Sequence, residues 1–461
     1  MSQKKFFITT PVYYANAQPH IGHAYTTVAS DVLVRFKKMN GEDAFLLTGM
    51  DEHGAKIAQK AETENKTPQE LVDEISEGFK LLWEKLGIDY DVFTRTTEKK
   101  HKNFIREAVQ KLYDNGIIYK GEYEGKYCVG CEQFKAESDL VDGKCPDHNT
   151  EAELMREESY LMKMGTEQEW LIKMIKEDKF AIRPERYKNE VLSFLKNNKL
   201  EDLSISRKNV NWGIPLPFDE SHTVYVWFDA FLSYVTGAKF WPSDINLIGK
   251  DILRVHSTIW PIMLKHLGLE ISRGLFVHGH ILSDGKKMSK TLGNVIGIDE
   301  MLEQFGKDGT RYLLLSAGSF GEDIDITMER LTEKYNADLA NGLGNLVSRV
   351  ITLSSDFEGL QVSDFEIENK KEFVNLMNDF AFDKALDYVW KIVRESNKYI
   401  EETKPWELKK TKRDKFAEVM TKLRADLFLV AGLLKPFMPE TSEKIKKQLT
   451  NGVKDILFKR L

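Results

Sequence analysis

Two histidines three residues apart, His20 and His23 in AQPHIGHAY, are followed far downstream by three lysines in DGKKMSKTLGN: Lys286, Lys287 and Lys290. A histidine pair of this spacing can ligate a metal, serve as a base with its partner, or hold an anion, and taken alone it is more often structural. Metal ligation lacks a third donor, because neither AQP before the pair nor AYTT after it supplies a carboxylate, cysteine or histidine. Anion binding has a physical basis: the pair falls where a strand-like run gives way to a helix-like one. A helix N-terminus there offers unpaired N–H groups and the positive end of its dipole. The lysines, bracketed by Gly285 and Gly293, have the character of a mobile basic loop. Another constellation pairs Cys128 with Cys131 and Cys145 with His148, each two separated by two residues. Two such knuckles make a closed set of three sulfur donors and one nitrogen, suited to tetrahedral zinc. With every coordination position filled by protein, that ion would be structural rather than catalytic.

Hydrophobic periodicity outlines the scaffold that must carry these groups. KKFFITTPVYY reads as a strand, after which Ile21, Tyr25, Val28, Val32, Phe36 and Met39 recur at helical spacing until Asn40 and Gly41. DAFLLTGMDEHG reads as a second strand, with helices following over 68–87 and 98–114. Such alternation predicts an α/β fold with a Rossmann-like parallel sheet. It breaks over 116–219, read as a connective insertion with the zinc knuckle at about 123–152, and resumes over 220–325. Residues 1–115 and 220–325 are then two halves of one catalytic domain, and 326–461, where strand signals vanish, an all-α bundle.

Composition bounds the function. The 461 residues are 42% hydrophobic and 30% charged, the mix of an ordinary globular protein. A net charge of -6 gives no overall basic footprint, so any RNA contact must come from local patches. No run of eighteen apolar residues is present, so no membrane contact is expected, and a first strand beginning by Phe6 leaves no room for a targeting peptide. A cytoplasmic protein is expected.

HIGH at 20–23 and KMSKT at 287–291 are similar to the two signature motifs of class I aminoacyl-tRNA synthetases, with Thr291 keeping the hydroxyl of the family's usual serine. TPVYYAN, TGMDEHG, YVWFDA, GKDILRVHSTIWP and KMSKTLGNV resemble the methionyl-tRNA synthetase versions, and the match runs along nearly the whole chain. The resemblance implies activation of L-methionine by ATP and its transfer to tRNA(Met). It assigns His20, Gly22, His23, Lys287, Ser289 and Lys290 to ATP, with His20, His23, Lys287 and Lys290 catalytic and Mg2+ accompanying the nucleotide. Methionine would meet Val12, Tyr14, Trp227, Ala230, Tyr234, Ile252 and His256, with Asp51 holding its α-amino group. Aromatic rings suit a polarizable thioether.

The same resemblance places Asn345, Arg349 and Trp406 at the CAU anticodon. The first two lie four residues apart on one helical face, and Trp406 follows Pro405 at a helix start. Lys409, Lys410, Lys412, Arg413 and Lys415 would steer the RNA backbone. A cysteinyl enzyme would need an open zinc, unlike this knuckle, and intact His20, His23, Lys287 and Lys290 argue against a non-catalytic RNA-binding protein. With no further domain after Leu461, a monomer is expected.

Overall fold

A computed structural model describes residues 3–128, 133–135, 140–146, 150–208, 210–288, 295–354 and 370–461. Its centre is a six-stranded parallel sheet. The strands are β1 (Lys5–Tyr14), β2 (Asp43–Asp51), β3 (Val92–Arg95), β4 (Ala181–Arg183), β5 (Ile245–Gly249) and β6 (Gly274–His278). Their order is β3-β2-β1-β5-β6-β4, with registers such as Phe7 to Phe45 and Ile8 to Ile245. The connections diverge between β1 and β5, and in open parallel sheets ligands bind outside the carboxyl ends of the strands at such a switch. Pro11 lies where the β1–β2 register shifts, between Thr9 and Val12. A residue with no N–H cannot continue the ladder there.

The strand β4 comes from inside 116–219, the stretch read as an insertion; it pairs with β6 through Ala181 to Gly274. The same stretch carries a four-stranded antiparallel sheet in which Ile118–Cys128 pairs with Gln133–Lys135 and Glu153–Met162, and the latter with Leu203–Ser204, a strand that follows β4 in the chain.

The helix α1 (Ile21–Met39) follows β1. Ile21, Tyr25, Val28, Val32 and Phe36 are buried, but so are Thr26, Thr27, Ser30, Asp31 and Leu33. Its second face is covered because the C-terminal helices pack on it. One fully buried ion pair makes the junction. Arg311, on α4 (Ile298–Ser316), donates to Asp31 of α1 at 2.6 Å and also to the carbonyl oxygens of Leu86, Pro436 and Phe437. A buried guanidinium is tolerable only when its donors are satisfied this fully. Among the helices that lie between these along the chain are α2 (Val226–Thr236) and α3 (Leu253–Leu267).

Beyond residue 326 the regular elements among the described residues are all helices. Met328–Lys334 runs through a π-helical stretch, Tyr335–Gly344, into α5 (Asn345–Leu353). Lys371–Asn378, α6 (Phe382–Thr403), a short helix Pro405–Thr411, α7 (Arg413–Leu434) and α8 (Pro439–Asn451) complete the bundle. Among the described residues no helix is long and apolar enough to cross a membrane.

Candidate active site

Two histidine side chains cap α1. His20, in extended conformation at the N-cap, accepts through Nδ1 from the Gly22 N–H at 3.1 Å, while the His20 N–H donates to His23 Nδ1 at 3.2 Å. This is the reciprocal arrangement usually made by Ser or Thr with Glu, as Thr67 and Glu70 make it at the start of Pro68–Leu86. A backbone N–H can only donate, so both Nδ1 atoms carry lone pairs. In the neutral rings the proton therefore sits on Nε2, and each imidazole is left with one N–H donor. The two rings stack at 3.7 Å between centroids. Burial, then the neighbouring His20, hold the His23 pKa well below its ordinary value, which keeps that ring neutral.

The pair is seated by residues that sequence reasoning missed. His23 packs on Tyr13 at 4.6 Å and Phe79 at 5.0 Å, and the buried Tyr13 hydroxyl bonds Thr27 at 2.7 Å. Gly22 is required by close approach. A Cβ there would lie 3.0 Å from His20 Cε1, so a side chain would press on the capping ring and force it to shift by a few tenths of an ångström. Behind this turn, Thr26 Oγ1 lies 2.7 Å from His278 Nε2, tying α1 to the end of β6.

The expected basic loop begins as a β-hairpin. Ile281–Ser283 pairs with Lys286–Lys287 around Asp284 and Gly285, both at positive φ. Such a turn matches strand twist, and Asp-Gly supplies it. Ser289 and Lys290 lie outside the described residues, and of Lys287 only the backbone is described.

A second group gathers beside the ends of β1 and β2. Tyr14 and Asp51 are register partners at the two strand ends; Tyr14 is half-buried and Asp51 buried. On α2, Trp227, Ala230 and Tyr234 fall on one face at about 100° per residue, half-buried in the first case and buried in the others. Tyr234 lies 3.1 Å from His256 Nε2, and His256 Nδ1 lies 2.9 Å from the Ile252 carbonyl oxygen. That carbonyl must accept, so Nδ1 bears the proton and Nε2 accepts the phenolic O–H. Burial pushes the His256 imidazole down to about 4. Burial also raises the Tyr234 phenol, opposed by a hydrogen bond from the Val12 backbone and reinforced by Tyr13 and Asp51. Val12, Asp51, Tyr234, His256, Ile252 and Trp227, the last edge-on to His256 at 6.0 Å, thus form one connected group. Its aromatic walls, neutral imidazole and single carboxylate suit an amino acid with an apolar, polarizable side chain.

On the C-terminal helices, Arg349 pairs with Glu401 at 2.7 Å and stands 5.9 Å over the ring of Trp406, which is 39% exposed. Asn345 is exposed one turn earlier on α5. Lys409, Lys410, Lys412, Arg413 and Lys415 are all exposed just beyond. A tryptophan left at the surface beside a guanidinium and an amide suits the stacking and edge-bonding of unpaired bases.

Of the cysteine constellation, Cys128 and Cys145 are fully buried, although Val141 and Leu154 in the same segment stand exposed. Cys131 and His148 lie outside the described residues. Two buried thiols in a segment that leaves Val141 and Leu154 exposed fit the donor set of a closed zinc site.

Comparison with known proteins extends across the chain. Residues 6–154 and 148–351 match the family model "tRNA synthetases class I (M)", and 361–457 match "Anticodon binding domain of methionyl tRNA ligase". A methionine–tRNA ligase of Clostridium acetobutylicum is 46% identical over 97% of this chain and 73% of its own length. That of Bacillus subtilis is 41% identical over 98% and 73%. The structure of Mycobacterium tuberculosis methionyl-tRNA synthetase in complex with methionyl-adenylate is 34% identical and superimposes with a TM-score of 0.90, covering 96% of this chain and 93% of that one. The free-state form of the same enzyme gives 0.81.

Proposed function

From the premise that this chain belongs to the methionyl-tRNA synthetase family of class I enzymes, we infer how its residues divide the work of a methionine–tRNA ligase. The reaction has two steps. A carboxylate oxygen of L-methionine attacks the α-phosphorus of ATP, forming methionyl-adenylate and expelling pyrophosphate. The terminal ribose hydroxyl of tRNA(Met) then attacks the activated carbonyl and releases AMP.

In the first step negative charge builds on a five-coordinate phosphorus and on the departing pyrophosphate. The chain answers it with donors fixed in advance: the Nε2–H groups of His20 and His23, whose tautomers the α1 cap selects, set at the positive end of the α1 dipole. Lys287 and Lys290, with Ser289, close over the phosphates from the hairpin after β6. Mg2+ travels with ATP and shares its charge. Asp51 holds the ammonium of methionine, and Val12, Tyr14, Trp227, Ala230, Tyr234, Ile252 and His256 enclose the thioether. A neutral His256 matters here, because a charged imidazole would make the pocket hostile to an apolar chain.

In the second step Asn345, Arg349 and Trp406 read the anticodon and the lysine-rich stretch from Lys409 steers the RNA. One zinc ion, held by Cys128, Cys131, Cys145 and His148, braces the antiparallel sheet and takes no part in chemistry. We place the enzyme in the cytoplasm, acting as a monomer. The observation that carries the reading is the reciprocal histidine cap, which converts a helix N-terminus into a phosphate-facing donor pair. Charging of purified tRNA(Met) with labelled methionine tests it. Ester-linked methionine on tRNA(Met) and none on a tRNA with another anticodon is expected; equal charging of both would overturn the anticodon assignment.

A further inference from the structure

One buried cluster lies outside every role assigned so far. Asp229 is 1% exposed and accepts from two imidazoles, His53 Nδ1 at 2.6 Å and His101 Nε2 at 2.7 Å. His101 Nδ1 in turn meets Thr236 Oγ1 at 2.8 Å. Burial alone would raise the Asp229 carboxyl, but the two histidines outweigh it and hold the group at about 2. It is an anion at any working pH, so both facing nitrogens are N–H donors.

The placement of the three residues gives the cluster its meaning. His53 stands two residues past Asp51, on the turn that leaves β2. Asp229 and Thr236 project from the side of α2 opposite Trp227, Ala230 and Tyr234, since about 100° per residue puts the two sets half a turn apart. His101 belongs to the helix Lys99–Asp114, which packs on α2. One carboxylate therefore joins the segment bearing the ammonium-binding carboxylate to the helix bearing the thioether pocket.

We propose that Asp229 is a positioning residue for methionine: bonded to His53 and His101, it fixes the separation between Asp51 and the Trp227–Ala230–Tyr234 face, and so sets which amino-acid side chain fits. The proposal rests on the reading of Asp51 as the ammonium ligand. A substrate held at two points is sensitive to the distance between them, and a small displacement costs much of the productive geometry. ATP, held in this reading by the α1 cap and the lysine hairpin rather than by Asp51 or α2, does not depend on that distance.

The test is steady-state ATP–pyrophosphate exchange on the full chain, comparing wild type with Asp229→Asn, His53→Ala and His53→Asn. Asparagine can place an amide nitrogen near the position of the lost Nδ1, so it restores the bond to Asp229. Asp229→Asn and His53→Ala are expected to raise the KM for methionine at least tenfold and leave the KM for ATP within twofold. Their preference for methionine over norvaline, which offers the same ammonium on a shorter chain, should fall by a similar factor. His53→Asn should return the methionine KM to within about threefold of wild type. A merely structural role would lower the active fraction, and hence kcat, with both KM values untouched. That result, or equal rises in both KM values, would overturn the proposal. If Asp229→Asn fails to fold, the two His53 variants decide alone. A wild type without methionine-dependent exchange would sink the substrate assignment and this proposal together, whereas a normal wild type with unchanged variants sinks only the positioning role.

Discussion

The cap on α1 separates two jobs that one imidazole performs, and substitution can pull them apart. His20 uses Nδ1 to accept from Gly22 and presents Nε2–H outward. In His20→Asn, the Oδ1 atom can replace Nδ1 as acceptor, and asparagine is among the best N-cap residues, so unfolding free energy should change by less than about 0.5 kcal/mol. The outward donor is gone, however. Removing one preorganised donor from a developing anion costs about 3 kcal/mol, so kcat for ATP–pyrophosphate exchange should fall about 150-fold. His20→Gln does the reverse. Its amide nitrogen can reach the outward position, but the short-range acceptor is lost, so urea unfolding should show a loss of about 1 kcal/mol while exchange falls less than about tenfold. Paired denaturation curves and exchange rates on the two variants give the answer. The opposite ranking, with Asn active and Gln inactive, would refute the claim that Nε2–H faces the phosphates.

Other parts of the molecule make separate predictions. Trp406→Ala should lower kcat/KM for tRNA charging by about 10- to 100-fold, the worth of one stacked base, and leave exchange within twofold; equal losses in both assays would mean a folding defect. His256 titrates at about 4 in the folded chain against about 6.5 unfolded, so between those values the unfolded state binds the extra proton and acid destabilises. The loss should reach about 2 kcal/mol by pH 5, read as a falling urea midpoint from pH 7 downward, and His256→Gln should flatten that slope. Metal analysis should find one zinc per chain, with Cys145→Ser holding less than a tenth of that; a zinc-free wild type that folds normally would contradict the knuckle.

Local signals in the sequence reached far. The 3.6-residue recurrence from Ile21 to Met39 delimits α1, and the seven-residue step from Trp227 to Tyr234 puts both on one helical face of the structure. Three kinds of feature stayed hidden. The strand β4 is three residues long within a charged stretch, too short for any periodicity to mark it, and only its pairing with β6 makes it a strand. The turn at Asp284 and Gly285 carries the Asp-Gly hairpin signal, but lysines crowd the segment and it reads more readily as a loop. The Asp229 cluster joins residues 176 and 128 positions apart, and no local pattern encodes a contact of that range, although TGMDEHG and YVWFDA each carry one of its members. The double burial of α1 has the same origin: its polar-looking side is covered by contacts far apart in sequence, among them Asp31 with Arg311 and Lys37 with Asn378.

The most direct measurement is ATP–pyrophosphate exchange with each of the twenty standard amino acids, run on the intact chain and on Lys290→Ala. Exchange driven by methionine alone, and lost in the variant, is the expected result. Exchange driven by another amino acid, or undiminished without Lys290, would contradict the account of the site.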